Sequence, residues 1–69
     1  MQKANSILPY NGKLPVIGED VFIADGVRLI GDVRIGRGSS IWYNSVLRGD
    51  INYIKIGEYT NIQDGSILH

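Results

Sequence analysis

The sequence predicts an all-β solenoid, a three-sided parallel β-helix, and three regularities predict it. Ile or Leu recurs every six residues at Ile17, Ile23, Leu29, Ile35, Ile41 and Leu47, then after three extra residues at Ile56, Ile62 and Leu68. These two residue types fill only 16 of the 69 positions, so an unbroken run of nine marks a repeat rather than composition. Four residues after each marker stands a small or β-branched residue: Val21, Val27, Val33, Ser39, Ser45, Ile51, Thr60 and Ser66. Just before those stand Asp20, Gly26, Asp32, Gly38, Asn44, Asp50, Tyr59 and Gly65. All but Tyr59 are Gly, Asp or Asn, the types that enter a left-handed backbone most cheaply. A fixed short period of this kind belongs to a solenoid, in which each layer packs only on its neighbours.

The spacing sets the local geometry. Within each hexad the small marker precedes the next aliphatic one by two, so both side chains leave a strand on the same face. Val33 with Ile35, or Ser39 with Ile41, therefore share one interior. The residues between hexads turn the chain, and three hexads return it above its start, giving 18 residues per coil. Residues 1–16 do not follow the repeat. Ile7-Leu8-Pro9-Tyr10 reads as a short strand and Asn11-Gly12 as a tight turn. This segment is expected to cap the open end of the solenoid, whose strand edges need covering. Residues 17–69 form the coils: Ile17 to Arg34 the first, Ile35 to Ile51 the second, and an incomplete third from Ile56 to His69. The three extra residues are expected near Asn52-Tyr53-Ile54, as a loop protruding from a corner. An incomplete third coil marks the chain as a piece of a longer protein, or one whose top is covered by something else.

Composition excludes several classes of function. Seven basic and seven acidic side chains cancel, so no charge imbalance favours nucleic acid or a membrane surface. There is no cysteine, hence neither a disulfide framework nor thiolate chemistry. The N-terminus lacks the apolar core of a signal peptide, and no run reaches membrane-spanning length. A cytoplasmic protein is expected.

The outward positions distinguish the three sides. Beside Ile17, Ile35 and Ile56 lie Val16, Gly18, Arg34, Gly36, Lys55 and Gly57, a side expected to meet water. Beside Leu29, Leu47 and Leu68 lie Arg28, Ile30, Val46, Arg48, Ile67 and His69, an aliphatic column with ionisable groups in it. The remaining side shows Phe22, Ala24, Ser40, Trp42, Asn61 and Gln63. Two different apolar sides imply a head-to-tail contact that closes into a ring, and a three-sided prism favours a homotrimer. Counted through the slip, Arg48 and His69 fall one above the other, as do Trp42 and Gln63, one strand spacing of about 4.8 Å apart. Such a ring brings one subunit's Asn61 and Gln63 towards the next subunit's Arg48 and His69. Polar groups converging on a mostly apolar seam are the usual make-up of a small-molecule site.

Arg48-Gly49-Asp50, followed by Asn61-Ile62-Gln63-Asp64-Gly65-Ser66-Ile67-Leu68-His69, resembles the γ-class carbonic anhydrases and their hexapeptide-repeat relatives. The resemblance runs from Ile7 to His69. It implies a left-handed β-helix of about three coils with an N-terminal cap, a homotrimer, and a zinc ion (or another divalent metal) held between subunits by three histidines. By position, His69 resembles the first of those ligands. Gln63 and Asn61 resemble residues that hydrogen-bond the metal-bound water and bicarbonate. Arg48 and Asp50 resemble a charge pair joining neighbouring subunits, and Asp64 a further polar residue of the pocket. The chemistry implied is a lyase reaction: zinc lowers the pKa of bound water from 15.7 to about 7, and the hydroxide attacks carbon dioxide to give bicarbonate.

The pattern is incomplete in this chain. A catalytic zinc takes about three protein ligands, whereas the sequence holds one histidine and no cysteine. Threefold repetition supplies one His69 per seam, and the loop near Tyr53 lacks the glutamate some family members use to shuttle protons. The 69-residue chain is therefore expected to be inactive alone. Other readings stay open. The complete protein can be a hexapeptide-repeat acyltransferase with His69 as general base, or a non-enzymatic trimeric assembly element. Arg48 and Asp50 can be a surface pair, Asp64-Gly65 a corner, and Gln63 and His69 interface residues. Two outcomes are expected of the isolated chain. It binds zinc weakly in a titration, submicromolar affinity contradicting this, and it associates in light scattering rather than running as a monodisperse folded monomer.

Overall fold

The aliphatic markers line the interior in vertical columns, and the strand register shows it directly. The computed structural model describes residues 7–69. It contains β1 (Ile7–Leu8), β2 (Val16–Ile17), β3 (Phe22–Ile23), β4 (Arg28–Ile35), β5 (Ser40–Ile41), β6 (Val46–Ile56), β7 (Asn61–Ile62) and β8 (Ile67–Leu68), with no helix among the described residues. Every strand pair is parallel. Leu29 lies against Leu47 and Leu47 against Leu68. Ile17 meets Ile35 and Ile35 meets Ile56; Ile23 meets Ile41 and Ile41 meets Ile62. The chain is thus a parallel β-helix, with β1, β2, β4, β6 and β8 in one sheet and β3, β5 and β7 in the other.

Between these columns the core closes. Val27, Leu29, Val33, Ile41 and Leu47 are fully buried, and Ile23, Ile35 and Ile56 nearly so. Ile17, Ile62 and Leu68 pack against them from the ends. Burying each large aliphatic side chain contributes roughly 1.5–3 kcal/mol, and in a repeat protein nearly all of it comes from the layers above and below. Ser39 and Ser45 occupy the same interior positions as the valines, yet carry hydroxyls. The Ser39 hydroxyl donates to the Gly57 carbonyl at 2.7 Å and accepts from the Thr60 N–H at 3.0 Å. Ser45 repeats the pattern with the Gln63 carbonyl at 2.7 Å and the Ser66 N–H at 3.3 Å. Two buried hydroxyls therefore bind successive layers at their corners, and among the described residues no buried side-chain polar atom is left unpaired.

Tight corners carry the left-handed backbone that the repeat anticipates, at Asp20, Gly26, Gly38, Asn44, Tyr59 and Gly65. Their amides bond the layer below: Gly38 N–H to the Glu19 carbonyl at 2.9 Å, Tyr59 N–H to that of Arg37 at 2.9 Å, and Gly65 N–H to that of Tyr43 at 2.9 Å. Tyr59, the residue outside the Gly/Asp/Asn set, lays its ring where a side chain on Gly38 would be.

The corner at Asp32 and Asp50 departs from the expectation. Neither aspartate is left-handed; β4 and β6 instead run through this corner as continuous strands. The turn is displaced to Gly31, whose φ is 76°, stacked against Gly49. A Cβ on Gly31 would lie 2.6 Å from the Gly49 carbonyl oxygen, and one on Gly49 would strike the Asp32 backbone. The assignment of Ile51 to the interior is corrected too. Val33 pairs with Ile54, so the inserted residues lie within 50–53 and Ile54 restores the register. Ile51 is 90% exposed on the resulting bulge. The hexad count failed because an insertion at a strand-like corner can end one residue earlier or later without altering the next aliphatic marker.

Of the segment 1–16, the first six residues lie outside the described residues. β1 pairs with Leu29 and Ile30. Tyr10 and Lys13 exchange backbone hydrogen bonds of 2.9 and 3.0 Å around Asn11 and Gly12, both at positive φ. That is the two-residue hairpin turn which Asn-Gly favours.

Two substitutions separate the registers. Leu47→Ala should lower the unfolding free energy by about 2–5 kcal/mol, whereas Ile51→Ala should stay within about 0.5 kcal/mol. Urea denaturation reads both, and a large loss at Ile51 would return that side chain to the interior.

Candidate functional site

Arg48 and Asp50 follow Leu47 on β6, two residues apart, and so leave the strand on the same face. Arg48 Nη2 donates to Asp50 Oδ2 at 2.6 Å, and the Ile51 N–H donates to Asp50 Oδ1 at 2.9 Å. The Arg48 hydrogen bond holds the Asp50 carboxyl below its ordinary pKa, with the guanidinium charge and the Ile51 amide acting in the same direction against desolvation. Asp50 is thus a carboxylate at neutral pH with both oxygens engaged. Asp50, but not Arg48, lines a cleft of about 150 Å³ between the Tyr10–Lys13 hairpin and the bulge, together with Tyr10, Asn11, Lys13, Asp32 and Tyr53 among others.

Register fixes the other positions. Because Leu47 pairs with Leu68, Arg48 stands level with His69. Because Ile41 pairs with Ile62, Gln63 stands level with Trp42, and Asn61 pairs with Ser40. Asn61 and Gln63 belong to the three-stranded sheet, while Arg48 and His69 lie on or just past strands of the larger sheet. The fold therefore brings Arg48 to Asp50 and aligns the columns, but distributes the remaining site residues over two walls. Asp64 takes the exposed turn position before left-handed Gly65. The Gln63 carbonyl is bound by the hydroxyls of Ser45 and Ser66, leaving its side chain outside.

Sequence reasoning missed the partners of Asn61. Trp42 Nε1 donates to Ser40 Oγ at 2.9 Å, and Ser40 Oγ donates to Asn61 Oδ1 at 2.5 Å. Phe22 lies against Trp42 with ring centroids 4.9 Å apart. The 21-residue step from Ser40 to Asn61 was available in the sequence and gives their stacking, but not the hydrogen bonds between their side chains.

A zinc centre is not formed by these residues. His69 is exposed, and no group of three or more His, Cys, Asp or Glu among the described residues could hold a metal ion. About three protein donors are needed for catalytic zinc, so the described residues do not fit it by themselves.

Comparison with known proteins bears on the arrangement. Residues 15–49 match the family model described as bacterial transferase hexapeptide (six repeats). The chain is 56% identical over 57 residues to a protein named gamma carbonic anhydrase 2, mitochondrial, from Arabidopsis thaliana, covering 83% of this chain and 20% of that one. It is 56% identical over 63 residues to a protein named carbonic anhydrase from Geobacillus kaustophilus, covering 91% of this chain and 35% of the relative. The crystal structure of a hexapeptide transferase family protein from Anaplasma phagocytophilum superposes with a TM-score of 0.91 at 48% identity, over 94% of this chain and 39% of that one. The chain belongs to the hexapeptide-repeat family, and within it to the γ-carbonic-anhydrase-like proteins. It spans about a fifth to a third of the length of these curated relatives.

The lowered Asp50 pKa fixes the sign of a pH effect. A carboxyl depressed on folding adds stability that is fully present above its unfolded value, about 3.9, and is lost as pH falls through the lower folded value. The difference in urea midpoint between wild type and Asp50→Asn should hold from neutral pH to about pH 4 and shrink below it. A difference unchanged at strongly acid pH would show that the pair does not titrate with folding.

Proposed function

We propose that this chain is the N-terminal part of a γ-carbonic-anhydrase-like protein whose complete form catalyses the reversible hydration of carbon dioxide to bicarbonate. One observation carries the reading: Arg48 and Asp50 form a short charge pair level with His69, on a chain 56% identical to proteins named as carbonic anhydrases. In this reading residues 1–16 cap a left-handed helix of about three coils formed by residues 17–69. Two different apolar sides and a prism-shaped tube support a homotrimer. The metal is zinc or another divalent ion, with His69 as one donor and the other donors outside this chain. When bound, such an ion supplies hydroxide at neutral pH.

The roles of this chain's residues follow from their chemistry. The neutral amides of Gln63 and Asn61 orient water and bicarbonate without competing for a cation. The Arg48–Asp50 pair, charge-assisted and in part covered, fixes the geometry of the seam. Asp64 contributes a polar rim. The 69-residue chain alone is inactive, lacking two of the donors. The charge balance offers nothing to nucleic acid, and among the described residues no helix is long and apolar enough to cross a membrane. We assign the protein to the cytoplasm on the sequence expectation; the Arabidopsis relative is named as mitochondrial. A second reading, an acyltransferase using a coenzyme A thioester, draws support from the transferase description of the family model and the name of the Anaplasma structure.

A stopped-flow pH-indicator assay on the complete protein decides between them. Carbon dioxide hydration is expected, with His69→Ala costing more than the 10- to 100-fold typical of outer-shell partners. Acyl transfer from a thioester with no hydration would establish the second reading.

A further inference from the structure

A chain of hydrogen bonds runs outward from the aromatic cluster and ends on Asn61, one of the amides on which the proposed function rests. The indole N–H of Trp42 can only donate, so Ser40 Oγ accepts from it at 2.9 Å. The single proton of the serine is then left for Asn61, 2.5 Å away. That separation lies within the range of O–H···O bonds and below that of N–H···O bonds. The carboxamide oxygen, and not its nitrogen, therefore faces the serine. Both N–H donors of Asn61 Nδ2 are left over for the exposed side of β7.

The base of this relay is held in place. Trp42 is partly buried, with Phe22 at 4.9 Å on one side and Tyr43 at 6.0 Å on another, measured between ring centroids. Ser40 pairs with Asn61 in the strand register, so the two side chains leave adjacent strands on one face. An amide on an exposed strand otherwise turns about its last torsion between two nearly equivalent settings. One setting offers two donors and the other an acceptor, and these suit opposite kinds of ligand.

We propose that Ser40, anchored by Trp42, is a positioning residue that locks the Asn61 carboxamide with its two N–H donors outward, so that this wall selects a hydrogen-bond acceptor of the bicarbonate or carboxylate class. The identity of the ligand rests on the function proposed above; the locking of the amide does not. Where the proposed seam covers this wall, a ligand without an acceptor at this point leaves the donors unpaired and is rejected for that reason. Asn61 touches the ligand, whereas Ser40 and Trp42 act through it.

Nuclear magnetic resonance of the 15N-labelled chain tests this. In the wild type the order parameter of the Asn61 side-chain amide should lie near the rigid value of about 0.85, and without the serine hydroxyl it should drop below about 0.6. Ser40→Thr and Ser40→Val are the informative pair, since both are β-branched and suit a strand, and they differ in the hydroxyl. Thr should keep the amide ordered and Val should release it; an amide equally ordered in both overturns the proposal. Bicarbonate should shift the Asn61 Nδ2 resonance in the wild type, and the shifts it causes in the backbone amides of β7 should be lost in Asn61→Asp, which keeps an acceptor for Ser40 but loses both N–H donors. An ordered amide that ignores bicarbonate upholds the relay and removes the ligand reading, whereas a bicarbonate shift that survives Ser40→Val overturns the positioning role.

Discussion

Parallel stacking of near-identical layers is the constraint on which the structure depends. Each layer is too small to enclose a core, so every buried aliphatic side chain is covered by its counterparts one layer away. Leu47 is buried because Leu29 and Leu68 lie on either side of it. Backbone groups obey the same rule, since corner amides such as those of Gly38 and Tyr59 find their acceptors in the layer below. A change in the length of one layer must therefore be absorbed locally or it would displace every column above. The bulge at residues 50–53 is that absorption: Gly31 and Gly49 remain paired on one side of it, and Val33 and Ile54 on the other.

The bulge also has a chemical consequence. The corner where β4 and β6 pass without a tight turn is the one that carries Asp32 and Asp50. Extended backbone there keeps Arg48 and Asp50 on one face, which a left-handed residue at position 50 would not. The charge pair beside the candidate site thus exists because this corner departs from the others. The glycines that make the departure possible have carbonyls where a Cβ would need to be.

The candidate site is laid out in columns rather than in one cluster of residues. The candidate site is written on the outside of the tube at positions whose interior neighbours are structural: Arg48 next to Leu47, Asn61 and Gln63 flanking Ile62, His69 next to Leu68. Solenoid geometry sets their height and wall. It does not bring the two walls together among the described residues, which is what the proposed seam would do.

Much of this was legible from residue types and spacing. The sixfold recurrence of Ile and Leu gave the tube, the interior columns and most corners, because an alternating strand and a left-handed turn each leave a plain mark in residue type. The same counting put Arg48 level with His69 and Trp42 level with Gln63. Spacing could not place the insertion to the residue: Ile51 and Ile54 are equally apolar, and only the pairing of Val33 shows which one faces inward. Nor could it reveal that Asp32 and Asp50 stand in extended strands, or that Trp42, Ser40 and Asn61 join in one hydrogen-bonded row. Those features depend on contacts between layers about twenty residues apart in sequence, and a local pattern carries no term for them. The repeat determined which residues face inside, and the stacking of one layer on another decided what the outward ones touch.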